Sequence, residues 1–114
     1  MRSAEVTVVL ESTVRTGGQG DLEAFLVEAI PYYELPGGIT VSLHWDRDAP
    51  ERFREVIEYV DRETYERDQL RVDADPGMGA LLARWHQLLA TDLTVTIWTR
   101  SPLTHHPASE PRPT

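Results

Sequence analysis

Three side chains have types and spacings suited to moving a proton on an aromatic ligand. A Tyr59 hydroxyl can hydrogen-bond a ligand hydroxyl while the ring stacks on the ligand, and Tyr65, six residues later, can reach the same ligand. Glu55 shares a strand face with Tyr59, where burial would raise the pKa of its carboxyl and make it a usable general base. His86 is the second candidate base, because imidazole titrates near physiological pH. The sequence therefore predicts Tyr59, Glu55 and His86 as catalytic residues.

Each of these residues also has a purely structural interpretation. The two tyrosines would then be core aromatics with their hydroxyls at the rim of the core. The Glu55 carboxylate would pair with Arg15 or Arg54, and His86 would be a half-exposed surface residue. Both interpretations stay open on the sequence alone.

The remaining polar residues do not indicate a metal site. The adjacent His105 and His106 have no third ligand nearby in the sequence, and the chain contains no cysteine. Asp68, Arg71 and Asp75 are spaced i, i+3 and i+7, which is typical of ion pairs on a helix surface. We therefore expect no metal and assign these three charged residues a structural role.

The elements that must position the candidates follow the order β-α-β-β-α-β. Residues alternate between two faces, with the period of a strand, at 6–14, 39–45, 53–60 and 93–99. Apolar residues recur at helical spacing over 22–33 and 78–89, and a polar helical segment, 61–72, precedes the second stripe. Pro31 should kink or end the first helix. The pattern predicts an α+β, ferredoxin-like sandwich, with an antiparallel four-stranded sheet, helices on one face and a bare, largely apolar second face.

Composition limits the classes of partner. A net charge of −8 argues against nucleic acid and anionic membranes, which require basic surfaces. The early apolar run at 6–10 is too short for a signal peptide or a membrane span, so we expect a cytoplasmic protein. The chain has 11 Arg but neither Lys nor Asn, whose codons are AT-rich, which indicates a high-GC bacterial genome.

Several of these segments together resemble an antibiotic biosynthesis monooxygenase domain, of the ferredoxin-like, dimeric α/β-barrel superfamily. The resemblance lies in the first strand followed by Thr16-Gly17, the turn at Pro36-Gly37, the third strand, and the run Glu58-Tyr59-Val60-Asp61 followed by Glu63-Thr64-Tyr65. It covers roughly residues 4–100. We accordingly assign residues 1–100 to this domain and 101–114 to a flexible, Pro-rich tail.

The resemblance implies a homodimer whose sheets pack face to face, with a pocket in each subunit between its sheet and its own helices. The substrate-binding candidates are then Tyr65, Trp85, Leu10 and Phe25. The implied activity is a monooxygenase that uses no cofactor and oxidises a small, electron-rich aromatic such as a phenol, quinol or polyketide. The alternative is a non-catalytic, ligand-binding or auxiliary homodimer in a biosynthetic or stress pathway.

The position of Leu10 decides between activities within the resemblance. Relatives that degrade haem use an Asn on the first strand, and that position falls on or near Leu10. An aliphatic side chain cannot orient an iron-bound oxygen, so we reject haem degradation. Because some phenol-oxidising relatives also rely on Asn, its absence favours the non-catalytic alternative, whereas the aromatic residues favour the enzyme.

Overall fold

The structure, a computed structural model, describes residues 4–103. Within this range four strands and three helices follow one another as β1 (Val6–Thr13), α1 (Gln19–Tyr33), β2 (Ile39–Trp45), β3 (Arg52–Tyr59), α2 (Arg62–Ala74), α3 (Pro76–His86) and β4 (Thr94–Thr99). The predicted α+β order is confirmed, with the second helical region divided into α2 and α3. Most of the predicted tail, residues 104–114 with His105 and His106, lies outside the described residues.

The sheet places β3 and β1 at its centre. The strand order is β2-β3-β1-β4, and every neighbouring pair is antiparallel. Glu55 lies opposite Leu10 on one side and Leu43 on the other, and Tyr59 lies between Val6 and Ile39. Because β3 is hydrogen-bonded along both edges, its side chains are held on the most constrained part of the sheet.

Helix α1 runs through Pro31 and ends two residues later, at Tyr33. Of the two effects expected of Pro31, an end of the helix at that residue is therefore wrong, because α1 continues for two more residues. Proline removes one backbone donor, and the loss falls in the last turn, where the N–H of Glu34 still bonds to the carbonyl of Ile30 at 2.9 Å. The buried face of α1 covers the sheet and contributes Tyr33 to the core.

Asp75 joins the two later helices and holds them to α1. Its side chain accepts a hydrogen bond from the N–H of Gly77 at 3.0 Å and so caps α3. The same carboxylate accepts a hydrogen bond from the Tyr32 hydroxyl, and the Arg71 guanidinium lies 5.0 Å from the centroid of the Tyr32 ring. The predicted ion pair between Asp68 and Arg71 forms, at 3.6 Å, but its side chains are largely buried instead of lying on the surface. Asp75 turns towards α1.

The face of the sheet away from the helices is more polar than predicted. Its central apolar residues are Val9 and Val56, which are opposite each other on β1 and β3. Their same-face neighbours are largely Thr, Ser and charged residues, among them Thr7, Glu11, Ser42, His44, Arg54, Glu58, Thr94 and Thr96. The error arises because the alternation directs most Val, Ile and Leu residues of the strands towards the helices.

On the other face, the helices leave one strand largely uncovered. Val95 and Ile97 of β4 are 50% and 55% exposed. The sheet and helices therefore enclose a space that is open along β4. Across residues 4–103, each helix is too short or too polar to cross a membrane.

Candidate functional site

A cavity of about 240 Å³ lies between the sheet and helices α2 and α3. Its walls are mainly aliphatic and aromatic, with Val8, Val41 and Ile57 from the strands and Val72, Met78 and Leu82 from the helices. The volume is slightly below the range of roughly 300–1,000 Å³ that is common for drug-sized ligands. The cavity therefore suits a compact apolar ligand, which its few polar side chains would orient.

Glu55 is the most unusual of these polar side chains, because it is only 2% exposed and lines the cavity without an ion pair to any residue that the structure describes. Its Oε1 atom has no hydrogen-bond partner among residues 4–103. Burial raises the pKa of Glu55 to about 7, since an apolar environment disfavours the carboxylate. The nearby Trp85 indole N–H opposes this rise in the pKa of Glu55. The indole Nε1 nevertheless forms no hydrogen bond of acceptable geometry with any described residue.

The pairing of Glu55 with a nearby arginine, which the sequence left open, is wrong. Arg15 pairs with Asp21 at 3.2 Å, and Arg54 extends from the opposite face of β3, where it contacts His44 at 3.4 Å. Glu55 therefore enters the cavity as a carboxyl group whose charge depends on pH near neutrality.

Tyr59 and Asp68 form a second polar group in the cavity wall. The buried Tyr59 hydroxyl donates to Oδ2 of Asp68 at 2.6 Å, and the Tyr65 ring packs edge-on at 5.2 Å from that of Tyr59. Burial, followed by the hydrogen bond to Asp68, raises the pKa of Tyr59 well above its usual value. Arg71 lies 3.6 Å from Oδ1 of Asp68 as its counter-ion. Tyr59 is thus a neutral phenol whose proton is directed at a carboxylate.

His86 lies where the cavity meets solvent. Its Nδ1 is 2.9 Å from the carbonyl oxygen of Leu82, and its ring packs edge-on against Trp85 at 5.2 Å. A carbonyl can only accept, so the contact assigns the proton of the neutral ring to Nδ1 and leaves Nε2 as the acceptor. His86 is therefore an exposed residue with Nε2 available as an acceptor at the mouth of the cavity.

The structure brings six of the seven sequence-predicted residues together around the cavity, namely Tyr59, Glu55, His86, Tyr65, Trp85 and Leu10. Phe25 is the exception. It is buried on α1 with the Arg84 guanidinium 5.1 Å from its ring centroid, so it packs in the core instead of lining the cavity. The roles of the other six in catalysis or binding stay predictions.

Sequence reasoning missed Asp68 and Tyr33, both of which line the cavity. The sequence assigned Asp68 to the surface, whereas it is only 8% exposed. Asp68 follows Tyr65 by three residues and so lies on the same helix face. This spacing is the feature of the sequence that could have placed Asp68 in the cavity wall. Across residues 4–103, no group of three His, Asp or Glu side chains could hold a metal ion.

Similar folds occur among solved structures. SnoaB, a cofactor-independent oxygenase from Streptomyces nogalater, superposes with a TM-score of 0.70 at 19% identity over 90% of this chain and 100% of its own. A candidate antibiotic biosynthesis monooxygenase from Bordetella bronchiseptica gives 0.69 at 21% identity over 87% and 99%. Rv0793 from Mycobacterium tuberculosis gives 0.66 at 20% identity over 90% and 98%.

No protein-family model matches the chain. No curated protein sequence matches it significantly. The structural comparisons confirm the resemblance at the level of fold: the chain has the ferredoxin-like α+β fold of antibiotic biosynthesis monooxygenases. Residues 4–103 include nearly all of the 1–100 segment predicted to form that domain.

Proposed function

We propose that this protein is a cofactor-independent monooxygenase that oxidises a compact, electron-rich aromatic hydroxyl compound with molecular oxygen. The observation that carries the proposal is Glu55, a buried carboxyl group with an unpartnered oxygen in an apolar cavity. Its pKa of about 7 lets it take a proton from a bound phenol at neutral pH and return that proton within the same cycle.

The chemistry balances without an external reductant. Glu55 removes the hydroxyl proton, and the phenolate gives one electron to oxygen. The resulting radical pair then combines to form a carbon–oxygen bond at the para position. The resulting peroxide takes the proton back from Glu55. Loss of the para C–H proton to the same base then breaks the O–O bond, and the departing hydroxide takes this proton from Glu55 and leaves as water. With 1-naphthol as the probe, 1-naphthol and O₂ give 1,4-naphthoquinone and H₂O.

The walls of the cavity support an aromatic ligand. The paired rings of Tyr59 and Tyr65 and the indole of Trp85 supply flat apolar surfaces, and an apolar site keeps a phenolate away from water. The similarity in fold to SnoaB, which is named as a cofactor-independent oxygenase, supports the same reaction class.

The test is oxygen consumption by the purified protein with 1-naphthol and a panel of quinols and polyphenols, without added cofactor. We expect one O₂ consumed per quinone formed, and ¹⁸O from labelled oxygen in the product. Background oxidation of a quinol forms hydrogen peroxide and leaves the product unlabelled, so the label separates the two. Absence of uptake and label across the whole panel would contradict the proposal.

A ligand-binding protein without catalysis is the second candidate. It is favoured by Leu10, because this aliphatic residue lines the cavity where the resemblance implies an amide, and the chain contains no Asn at all. Tight binding of aromatic hydroxyl compounds without oxygen uptake would select this candidate.

We also propose that the chain forms a homodimer through the face of the sheet that carries Val9 and Val56. This face leaves both valines and the exposed indole of Trp98 without cover from the helices. Sedimentation at micromolar concentration should give twice the chain mass of 12.9 kDa. A stable monomer would contradict the dimer. The cytoplasmic location and the flexibility of the tail stay predictions from the sequence.

A further inference from the structure

We propose that Asp68 fixes the direction of the Tyr59 hydroxyl, so that the cavity prefers a ligand presenting an O–H group to Tyr59 over one presenting a carbonyl or ether oxygen. The inference deepens the proposed function and rests on it for the aromatic class of the ligand. It makes Asp68 a positioning residue that acts through Tyr59, and it concerns binding, which is measurable without turnover.

The geometry leaves the Tyr59 oxygen as an acceptor. A phenol hydroxyl has one hydrogen. In Tyr59 that hydrogen is directed at Oδ2 of Asp68, which lies 2.6 Å from the hydroxyl oxygen. Hydrogen bonds to a carboxylate are roughly twice as strong as neutral ones, so a ligand does not readily displace this one. Within residues 4–103, the Tyr59 hydroxyl makes no other hydrogen bond. Its remaining lone pair is therefore free to accept from a ligand.

The position of Asp68 is itself fixed by α1. Arg71, one turn later on α2, lies 3.6 Å from Oδ1 of Asp68 and donates to the backbone carbonyls of Tyr32 and Tyr33. The Arg71 guanidinium thus lies on the Oδ1 side of the Asp68 carboxylate, while Oδ2 faces the Tyr59 hydroxyl. Since Tyr59 and Asp68 both line the cavity, we expect a bound ligand to meet the acceptor side of this pair.

The chemical consequence is discrimination between substrate and product. A quinol can present one hydroxyl to Glu55 and the other to Tyr59, four residues away on β3. Its oxidation to a quinone turns the group at Tyr59 from a donor into an acceptor. A carbonyl facing the Tyr59 oxygen brings two acceptors together and loses the hydrogen bond. A net hydrogen bond of this kind changes affinity by about two- to tenfold. The pair therefore favours release of the oxidised product.

The experiment compares two probes, 1-naphthol and 1-methoxynaphthalene, by isothermal titration under anaerobic conditions, where no oxygen is present to oxidise 1-naphthol. The wild-type chain should bind 1-naphthol about two- to tenfold more tightly. In Asp68→Asn the amide can donate to the Tyr59 oxygen and free its hydrogen for the ligand, so the ratio of affinities should fall towards one. Comparing this ratio between the two proteins cancels the difference in probe size.

Two further variants complete the test. Asp73→Asn, an exposed site on the same helix, is the matched control and should keep the wild-type ratio. Tyr59→Phe should also remove the preference while keeping the affinity for 1-methoxynaphthalene, and thermal unfolding should show both cavity variants folded. An unchanged ratio in Asp68→Asn, or no preference in the wild type, would overturn the inference and leave the proposed function standing. If neither probe binds, the aromatic ligand class fails, and the inference with it.

Discussion

Glu55→Gln should lower turnover of an aromatic substrate by about 10²–10⁴-fold, the usual contribution of a general base. Glutamine keeps the shape of the side chain but cannot take a proton. In the wild type, kcat/KM should rise as the pH passes about 7, where the buried Glu55 becomes a carboxylate. The variant should lose this rise. Steady-state oxygen consumption between about pH 5 and pH 9 measures both effects.

Two controls make this result specific. Glu66→Gln changes an exposed glutamate on α2 and should leave turnover and the pH profile as they are. His86→Gln tests the other candidate base, whose free Nε2 lies at the mouth of the cavity. If His86→Gln abolishes turnover while Glu55→Gln retains it, the base is His86 and the assignment of Glu55 is wrong.

Glu55→Gln should also change the free energy of unfolding in a pH-dependent way. Relative to its effect at acid pH, the substitution should stabilise the protein at alkaline pH by about 3 kcal/mol. The pKa of Glu55 is raised from 4.5 to about 7, so the folded state holds a proton that the unfolded chain releases. This contribution to stability is complete below about pH 4.5 and is lost as the pH rises to about 7. A shift of this size corresponds to about 3 kcal/mol at 1.36 kcal/mol per pH unit, and glutamine has no such dependence.

Urea unfolding at one fixed protein concentration, from about pH 4.5 to pH 8, measures the effect. The quantity compared is the difference in free energy of unfolding between wild type and Glu55→Gln, because other titrating groups cancel in it. The difference should move in favour of the variant as the pH rises. Parallel pH dependence in the two proteins would show that Glu55 is ionised in the folded state and paired or hydrated there.

The strands that carry the site were predictable from the sequence, because period-two alternation assigns each residue to a face. Phe53, Glu55, Ile57 and Tyr59 are directed towards the helices as that pattern requires, and the placement of Glu55 in the apolar space followed from it. The alternation also explains the missed polarity of the outer face. The pattern assigned each strand residue to the correct face of the sheet. The prediction of an apolar outer face was wrong because that face carries many Thr and Ser residues.

The helices were harder to predict. Helix α2 is polar along most of its length, so no apolar stripe shows which face is inward, and Asp68 was placed on the surface. Its burial depends on Tyr59, which is nine residues away, and on Arg71, which is held by α1. Phe25 was misplaced for the opposite reason. An apolar stripe identifies a buried face but does not show which part of the interior that face contacts.

The cavity has two kinds of wall, and the division matters for changing its specificity. Glu55 and Tyr59 are on β3, which is hydrogen-bonded on both sides, whereas much of the shape is set by α2, α3 and the exposed side of β4. Substitutions at Val72 or Leu82 would reshape the space and leave the proton-transferring residues in place. The open side at Val95 and Ile97 leaves room for ligands longer than the enclosed volume. The architecture is therefore a favourable starting point for directed evolution, in which libraries confined to the helices and β4 alter the choice of substrate while β3 stays constant.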